Sequence, residues 1–138
     1  DRMAIIDALN SGVIDIVSSF HTPQDEESKR LPFETAAAGA VGLETLLPAS
    51  LQLFHSQSVS LGKLIRTMTL NPAILLNLPS GRITPGAPAD LIIFDADIPF
   101  ILDRETLKSK SKNTPYDGQK LQGKVRRTIV SGKTIFEC

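Results

Sequence analysis

Few side chains in this sequence could do chemistry near neutral pH. They are His21, His55 and the terminal Cys138, with the acids Asp15 and Asp25-Glu26-Glu27 close to the first histidine. Zinc is held by clustered His, Cys and carboxylate ligands. Two histidines this far apart, with no cysteine beside them, do not supply such a set. His21, in Phe20-His21-Thr22-Pro23, is the obvious ligand candidate by type, and reads better as a structural or hydrogen-bonding histidine. His55, beside Phe54 near the end of a predicted helix, reads as a surface residue. Asp15 interrupts an apolar run and reads as a strand-end or partnered acid. Asp25-Glu26-Glu27 and Lys29-Arg30 read as a solvated loop. Asp25 is the nearest carboxylate that could serve as a base, but loop carboxylates rarely reproduce first-contact geometry by accident.

The elements that must position these residues follow from pattern. Met3, Ile6 and Leu9 recur at near-helical spacing over residues 1–10, and Gly12 stands where a C-terminal cap would. Val13–Ser18 is short and β-branched and predicts a buried strand. Residues 20–38 predict a long loop. Leu43, Leu47, Leu51 and Phe54 form one stripe of a helix between Gly42 and Gln57, in which Pro48 predicts a kink or a later start. Ser60 predicts an N-cap for Leu61, Leu64, Ile65 and Met68. Asn71-Pro72 predicts a further capped start. After Gly81 the chain becomes turn-rich. Leu91–Phe94 predicts a strand, and Val125–Val130 and Thr134–Phe136 a hairpin across Ser131-Gly132-Lys133. The Lys108, Lys110 and Lys112 run reads as a solvated loop.

Composition narrows the class. Fifteen basic and 15 acidic residues cancel, which leaves no field for nucleic acid or an anionic membrane. There is no Trp and only one Tyr, hence no stacking platform for bases. No apolar run approaches the ~20 residues that span a bilayer. A single Cys fits a reducing, cytoplasmic setting.

An apolar strand, Phe20-His21-Thr22-Pro23, a loop and then Gly42-Leu43-Glu44-Thr45 resembles the last barrel strand of dihydroorotases in the amidohydrolase superfamily. Gly81-Arg82-Ile83-Thr84-Pro85-Gly86-Ala87-Pro88-Ala89-Asp90 resembles the turn by which many amidohydrolases leave the barrel for a small β-domain. Ser111-Lys112-Asn113-Thr114-Pro115 resembles the branch of dihydroorotases, allantoinases and hydantoinases. The resemblance covers essentially the whole chain. It implies an α/β fold: the C-terminal part of a (β/α)8 TIM barrel over residues 1–80, its last strand and helices, then part of a small composite β-domain over 81–138. Such a barrel takes roughly 250 residues. The family's His-x-His motif, bridging carboxylate or carboxylated lysine, and later His ligands would lie upstream.

The resemblance also implies chemistry. Dihydroorotases interconvert N-carbamoyl-L-aspartate and dihydroorotate in de novo pyrimidine biosynthesis, with zinc in catalytic members. An Asp at the end of the last strand moves the proton; its place is taken by Phe20, which has neither charge nor lone pair. The resemblance thus assigns no catalytic residue and no metal ligand to this chain, which by itself should be inactive. Gln24 stands where a histidine often contacts the substrate carboxylate, and Ala38-Gly39 matches a backbone segment that hydrogen-bonds the dihydroorotate ring. The implied partners are the remainder of the barrel, further copies in a homo-oligomer, and aspartate transcarbamoylase if the protein is a non-catalytic partner of that enzyme. An allantoinase or hydantoinase is the third alternative.

Overall fold

A computed structural model describes residues 1–138. Helix α1, Arg2–Ser11, ends on Gly12 in the left-handed conformation (φ 81°). The N–H groups of Gly12 and Val13 return to the carbonyls of Leu9 and Ala8, as the cap position predicts. A short α2, Glu26–Arg30, lies inside the segment expected to be loop. Helix α3, Leu46–His55, starts later than Gly42. Pro48 is its third residue, where a helix N–H has no intrahelical acceptor and a missing one costs little. Helix α4, Leu61–Met68, is capped by Ser60 as expected. Helix α5, Leu70–Leu75, has no side-chain cap. Asn71, expected to provide it, lies within the first turn. Its Nδ2 donates to the Asp15 carbonyl at 2.7 Å and its Oδ1 accepts from Arg66 Nε at 3.1 Å.

Strands β1 (Leu91–Ile101), β2 (Lys120–Val130) and β3 (Lys133–Glu137) form one antiparallel meander in that order. β1 and β2 extend well beyond the predicted stretches because register shifts after Ile93 and between Asp95 and Pro99 absorb the irregular residues. The β2–β3 hairpin turns through Ser131 and Gly132, both at positive φ, as predicted.

The predicted strand Val13–Ser18 is not a strand: Val13 and Ile14 bend back onto the Ala8 carbonyl, and the rest is unpaired. A strand exists only beside a neighbour, and the single sheet lies elsewhere. Its backbone is tied by the Val17 N–H to the Thr67 carbonyl (3.2 Å) and by Asn71 to the Asp15 carbonyl. Nor is it buried: Val13 is 78% exposed.

Two small cores hold the molecule. Ile6, Val59 and Leu64 pack with Leu53, Phe54 and Met68 among the helices. Val41, Leu102, Leu107 and Leu121 pack with Phe100 and Tyr116, joining the Gly39–Gly42 region to the sheet. Between them α3 lies on β2. Leu51, fully buried, occupies the space where a Cβ on Gly123 would stand.

Candidate functional site at the Gln24 and Gly39 loops

The chain after Val13–Ser18 turns at Phe20, which takes φ 45°, a conformation rare for a bulky residue. The Phe20 carbonyl accepts from Thr22 Oγ1 at 2.9 Å, while its ring is 87% exposed. His21 follows, partly buried. Its Nδ1 accepts the backbone N–H groups of Gly42 (3.1 Å) and Leu43 (3.3 Å). That lone pair is therefore committed, and the neutral ring carries its proton on Nε2. His21 is a hydrogen-bonding residue that pins the turn to the segment leading into α3.

The two segments cross closely. Thr22 N–H donates to the Ala40 carbonyl at 3.0 Å. A Cβ on Gly39, at φ +120°, would overlap the Thr22 carbonyl oxygen, and one on Gly42 would overlap that of Ser19. Asp25 caps α2, accepting from Ser28 N–H at 2.8 Å. This backbone hydrogen bond, aided by the Ser28 hydroxyl, holds the Asp25 carboxyl below its ordinary 3.8. A carboxylate so stabilised is a weaker base, and it is already occupied as a cap.

Asn113 joins these segments to the β half. Its Oδ1 accepts Gln24 N–H at 3.1 Å and the Ser111 hydroxyl at 2.6 Å. Its Nδ2 donates to the Gly39 carbonyl at 3.1 Å, and its own carbonyl accepts Val41 N–H at 2.8 Å. The Ser111 hydroxyl also lies against the Gln24 carbonyl, so its one proton is shared between that oxygen and Asn113 Oδ1. Lys29 Nζ donates to the carbonyls of Ala37 (2.8 Å) and Gly39 (3.1 Å). Glu44 Oε1 accepts the N–H groups of Lys108 (2.8 Å) and Ser109 (3.3 Å). Lys112, expected in a solvated loop, instead donates to the Leu107 carbonyl at 2.6 Å.

Gln24, Ala38 and Gly39 are thus brought to one side of the molecule. Gln24 has both backbone groups committed, while its side-chain amide has no partner within the chain. The Ala38 N–H and carbonyl and the Gly39 N–H also have no intramolecular partner. Gln24 lines an open cleft of about 600 Å³ with Pro23, Asp25, Glu26 and Ser109–Lys112. Ala38 and Gly39 lie outside that lining and are connected to it through Asn113. A second groove, about 350 Å³, runs between Val17–Phe20 and α3 and is lined mainly by apolar residues.

Asn113, Ser111 and Lys29 were missed by sequence reasoning. Ser111 and Asn113 stood in plain view in a motif that served only as a family marker. His55 also differs from expectation. It is partly buried, and its Nε2 shares a hydrogen bond with the Ala96 carbonyl at 3.0 Å, linking α3 to β1.

The donor set of this chain does not fit zinc. No three His, Cys, Asp or Glu side chains converge, and His21 Nδ1 is engaged by backbone. No helix is long and apolar enough to cross a membrane.

Comparison with known proteins shows what this arrangement is similar to. Residues 1–135 match the amidohydrolase family. Over 138 residues the chain is 47% identical to a dihydroorotase of Ehrlichia chaffeensis, covering 100% of this chain and 31% of that protein. It is 42% identical to a dihydroorotase of Aquifex aeolicus, covering 99% of this chain and 32% of the other. Among solved structures, the L-hydantoinase (dihydropyrimidinase) of Arthrobacter aurescens superposes with a TM-score of 0.88 at 32% identity, over 96% of this chain and 31% of that one. The dihydropyrimidinase of Brevibacillus agri superposes at 0.91 with 21% identity, over 99% and 31%. The chain spans about 31% of the length of these relatives.

Proposed function

The chain belongs to the amidohydrolase family, and from that premise we propose that it is the C-terminal part of a dihydroorotase, a cytoplasmic protein of pyrimidine biosynthesis acting on N-carbamoyl-L-aspartate and dihydroorotate. Its fold is α/β, the end of a TIM barrel followed by a small sheet. The division at residues 80 and 81 is part of this proposal. The observation that carries the reading is the 47% identity to a dihydroorotase along the whole chain. The 32% identity to the L-hydantoinase makes hydantoins the weaker substrate choice.

In this reading the chain's own residues bind and orient. The free side-chain amide of Gln24 donates to the substrate carboxylate, without the charge assistance a histidinium would give. The free Ala38 N–H and carbonyl and the Gly39 N–H meet the donors and acceptors of the cyclic amide. Zinc, expected in catalytic dihydroorotases, would have to be held by residues outside these 138.

Phe20 supports a second reading, a non-catalytic dihydroorotase-like partner of aspartate transcarbamoylase. The position that resembles the family's strand end carries a ring with no proton acceptor, and Asp25, the acid in the loop that follows, is a helix cap. The deciding experiment measures zinc content and carbamoyl aspartate cyclisation on the full-length protein. Turnover with stoichiometric zinc is the expected result of the first reading. No zinc and no turnover, with co-purification of a transcarbamoylase, would overturn it in favour of the second.

A further inference from the structure

The loops carrying Gln24 and Ala38-Gly39 are distant in sequence from the β half, yet one side chain there holds both. Asn113 accepts Gln24 N–H through Oδ1 and donates to the Gly39 carbonyl through Nδ2. A planar amide has a fixed separation between oxygen and nitrogen, so these two bonds set the distance between the segments. Ser111 reinforces the oxygen side, bonding both Asn113 Oδ1 and the Gln24 carbonyl. Lys29 reinforces the other, holding the carbonyls of Ala37 and Gly39. With those groups engaged, the Gln24 side chain and the amides of Ala38 and Gly39 are the ones left free.

We propose that Asn113 is a positioning residue that fixes the spacing between Gln24 and the Ala38-Gly39 backbone, so that one ligand bearing both a carboxylate and a ring amide is read at both ends. Asn113 need not touch the ligand. It acts by making the two contacts available simultaneously, and simultaneous contacts are what separate a two-ended ligand from a one-ended one. The inference rests on the dihydroorotase reading for the identity of the ligand, but the positioning itself does not.

The test compares two probes on full-length protein. Dihydroorotate carries the ring and the carboxylate; dihydrouracil carries the ring alone. Calorimetric Kd values for both are measured in the wild type and in Asn113→Ala, Asn113→Asp and Leu64→Ala. Asn113→Ala is expected to reduce the preference for dihydroorotate over dihydrouracil about tenfold, the scale of one hydrogen bond to a charged group. Asn113→Asp keeps the acceptor for Gln24 but loses the donor to Gly39, so the spacing is no longer fixed and the preference is expected to fall as it does in Asn113→Ala. Leu64→Ala, in the distant helical core, is expected to lower Tm without changing the preference. An unchanged preference in Asn113→Ala, or an equal loss in Leu64→Ala, overturns the proposal. If the wild type binds neither probe, the dihydroorotase reading fails separately, and amide hydrogen exchange then decides the positioning. Faster exchange at Gln24 in Asn113→Ala but not in Asn113→Asp, and at Val41, whose N–H is held by the Asn113 carbonyl, in both, supports it; unchanged exchange overturns it.

Discussion

His21 fixes the turn after the Val13–Ser18 segment by accepting two backbone N–H groups on one ring nitrogen. Removing it leaves one partly buried donor, the Gly42 N–H, unpaired and hands the exposed Leu43 N–H to water, so His21→Ala is expected to cost about 1–2 kcal/mol in urea unfolding of the full-length protein. Asparagine places an oxygen close to where Nδ1 sits, so His21→Asn is expected to recover most of that loss, with metal content unchanged in both. A fall in metal content would make His21 a ligand after all. Phe20 is the complementary case, a residue whose lack of function is the point. In full-length protein that holds zinc, Phe20→Asp is expected to raise cyclisation by roughly 10²–10⁴, the scale of a positioned acid–base group. In protein without zinc it is expected to change nothing; turnover by a zinc-free variant would remove the metal requirement. Asp25 gives a pH prediction. Its folded carboxyl titrates below the ordinary 3.8 because Ser28 donates to the charged form. Its stabilising contribution is therefore complete above that value and is lost as pH falls through the lower folded one. An NMR titration should place the Asp25 midpoint below 3.8, with Ser28 amide protection lost alongside it. A midpoint at or above the ordinary value would deny the cap.

Elements record which signals are local and which are not. The β2–β3 hairpin was legible because turn chemistry at Ser131-Gly132 is decided within a few residues. The late start of α3 was legible in Pro48, whose ring tolerates only a first turn. Val13–Ser18 has the β-branched content of a strand, which measures fit to a pleated surface and not the presence of a partner. Asn71 is a cap by type, yet its side chain reaches across to Asp15 and Arg66, a competition that only the tertiary arrangement decides. The α3–β2 contact was illegible for the same reason, since nothing in the sequence says that Gly123 lies under Leu51. It yields a clear expectation. Gly123 combines φ +105° with a neighbour where its Cβ would stand. Gly123→Ala is expected to destabilise by about 1–3 kcal/mol through strain and overpacking. Adding Leu51→Ala should relieve the overpacking part, so the double mutant should be more stable than the two single losses summed. Strict additivity in denaturant unfolding would show that the two residues do not touch.

At the scale of the whole molecule, burial does not match apolar content. Ten apolar residues are buried, while 18 large apolar side chains are exposed, among them Phe33 at 97%, Ile83 at 90% and Phe20 at 87%. Phe20 also borders the apolar groove beside α3, and the Val13–Ser18 segment there has no strand beside it. The resemblance to a barrel's end made such open faces foreseeable. Which residues form them was not, because helical periodicity marks a face as apolar without saying what covers it. Exposed apolar area on this scale is uncommon in a self-sufficient monomer, and the hydrophobic gain from covering it is roughly 25 cal/mol per Å². The 138-residue chain on its own is therefore expected to bind the dye ANS and to associate as its concentration rises in sedimentation experiments. Full-length protein, in which further barrel strands can lie along Val13–Ser18, is expected to bind little dye and to protect the amides of that segment from exchange. If the isolated chain proves monomeric and ANS-silent, its open faces are stable in water, and the case for a missing barrel neighbour at Val13–Ser18 loses its physical basis.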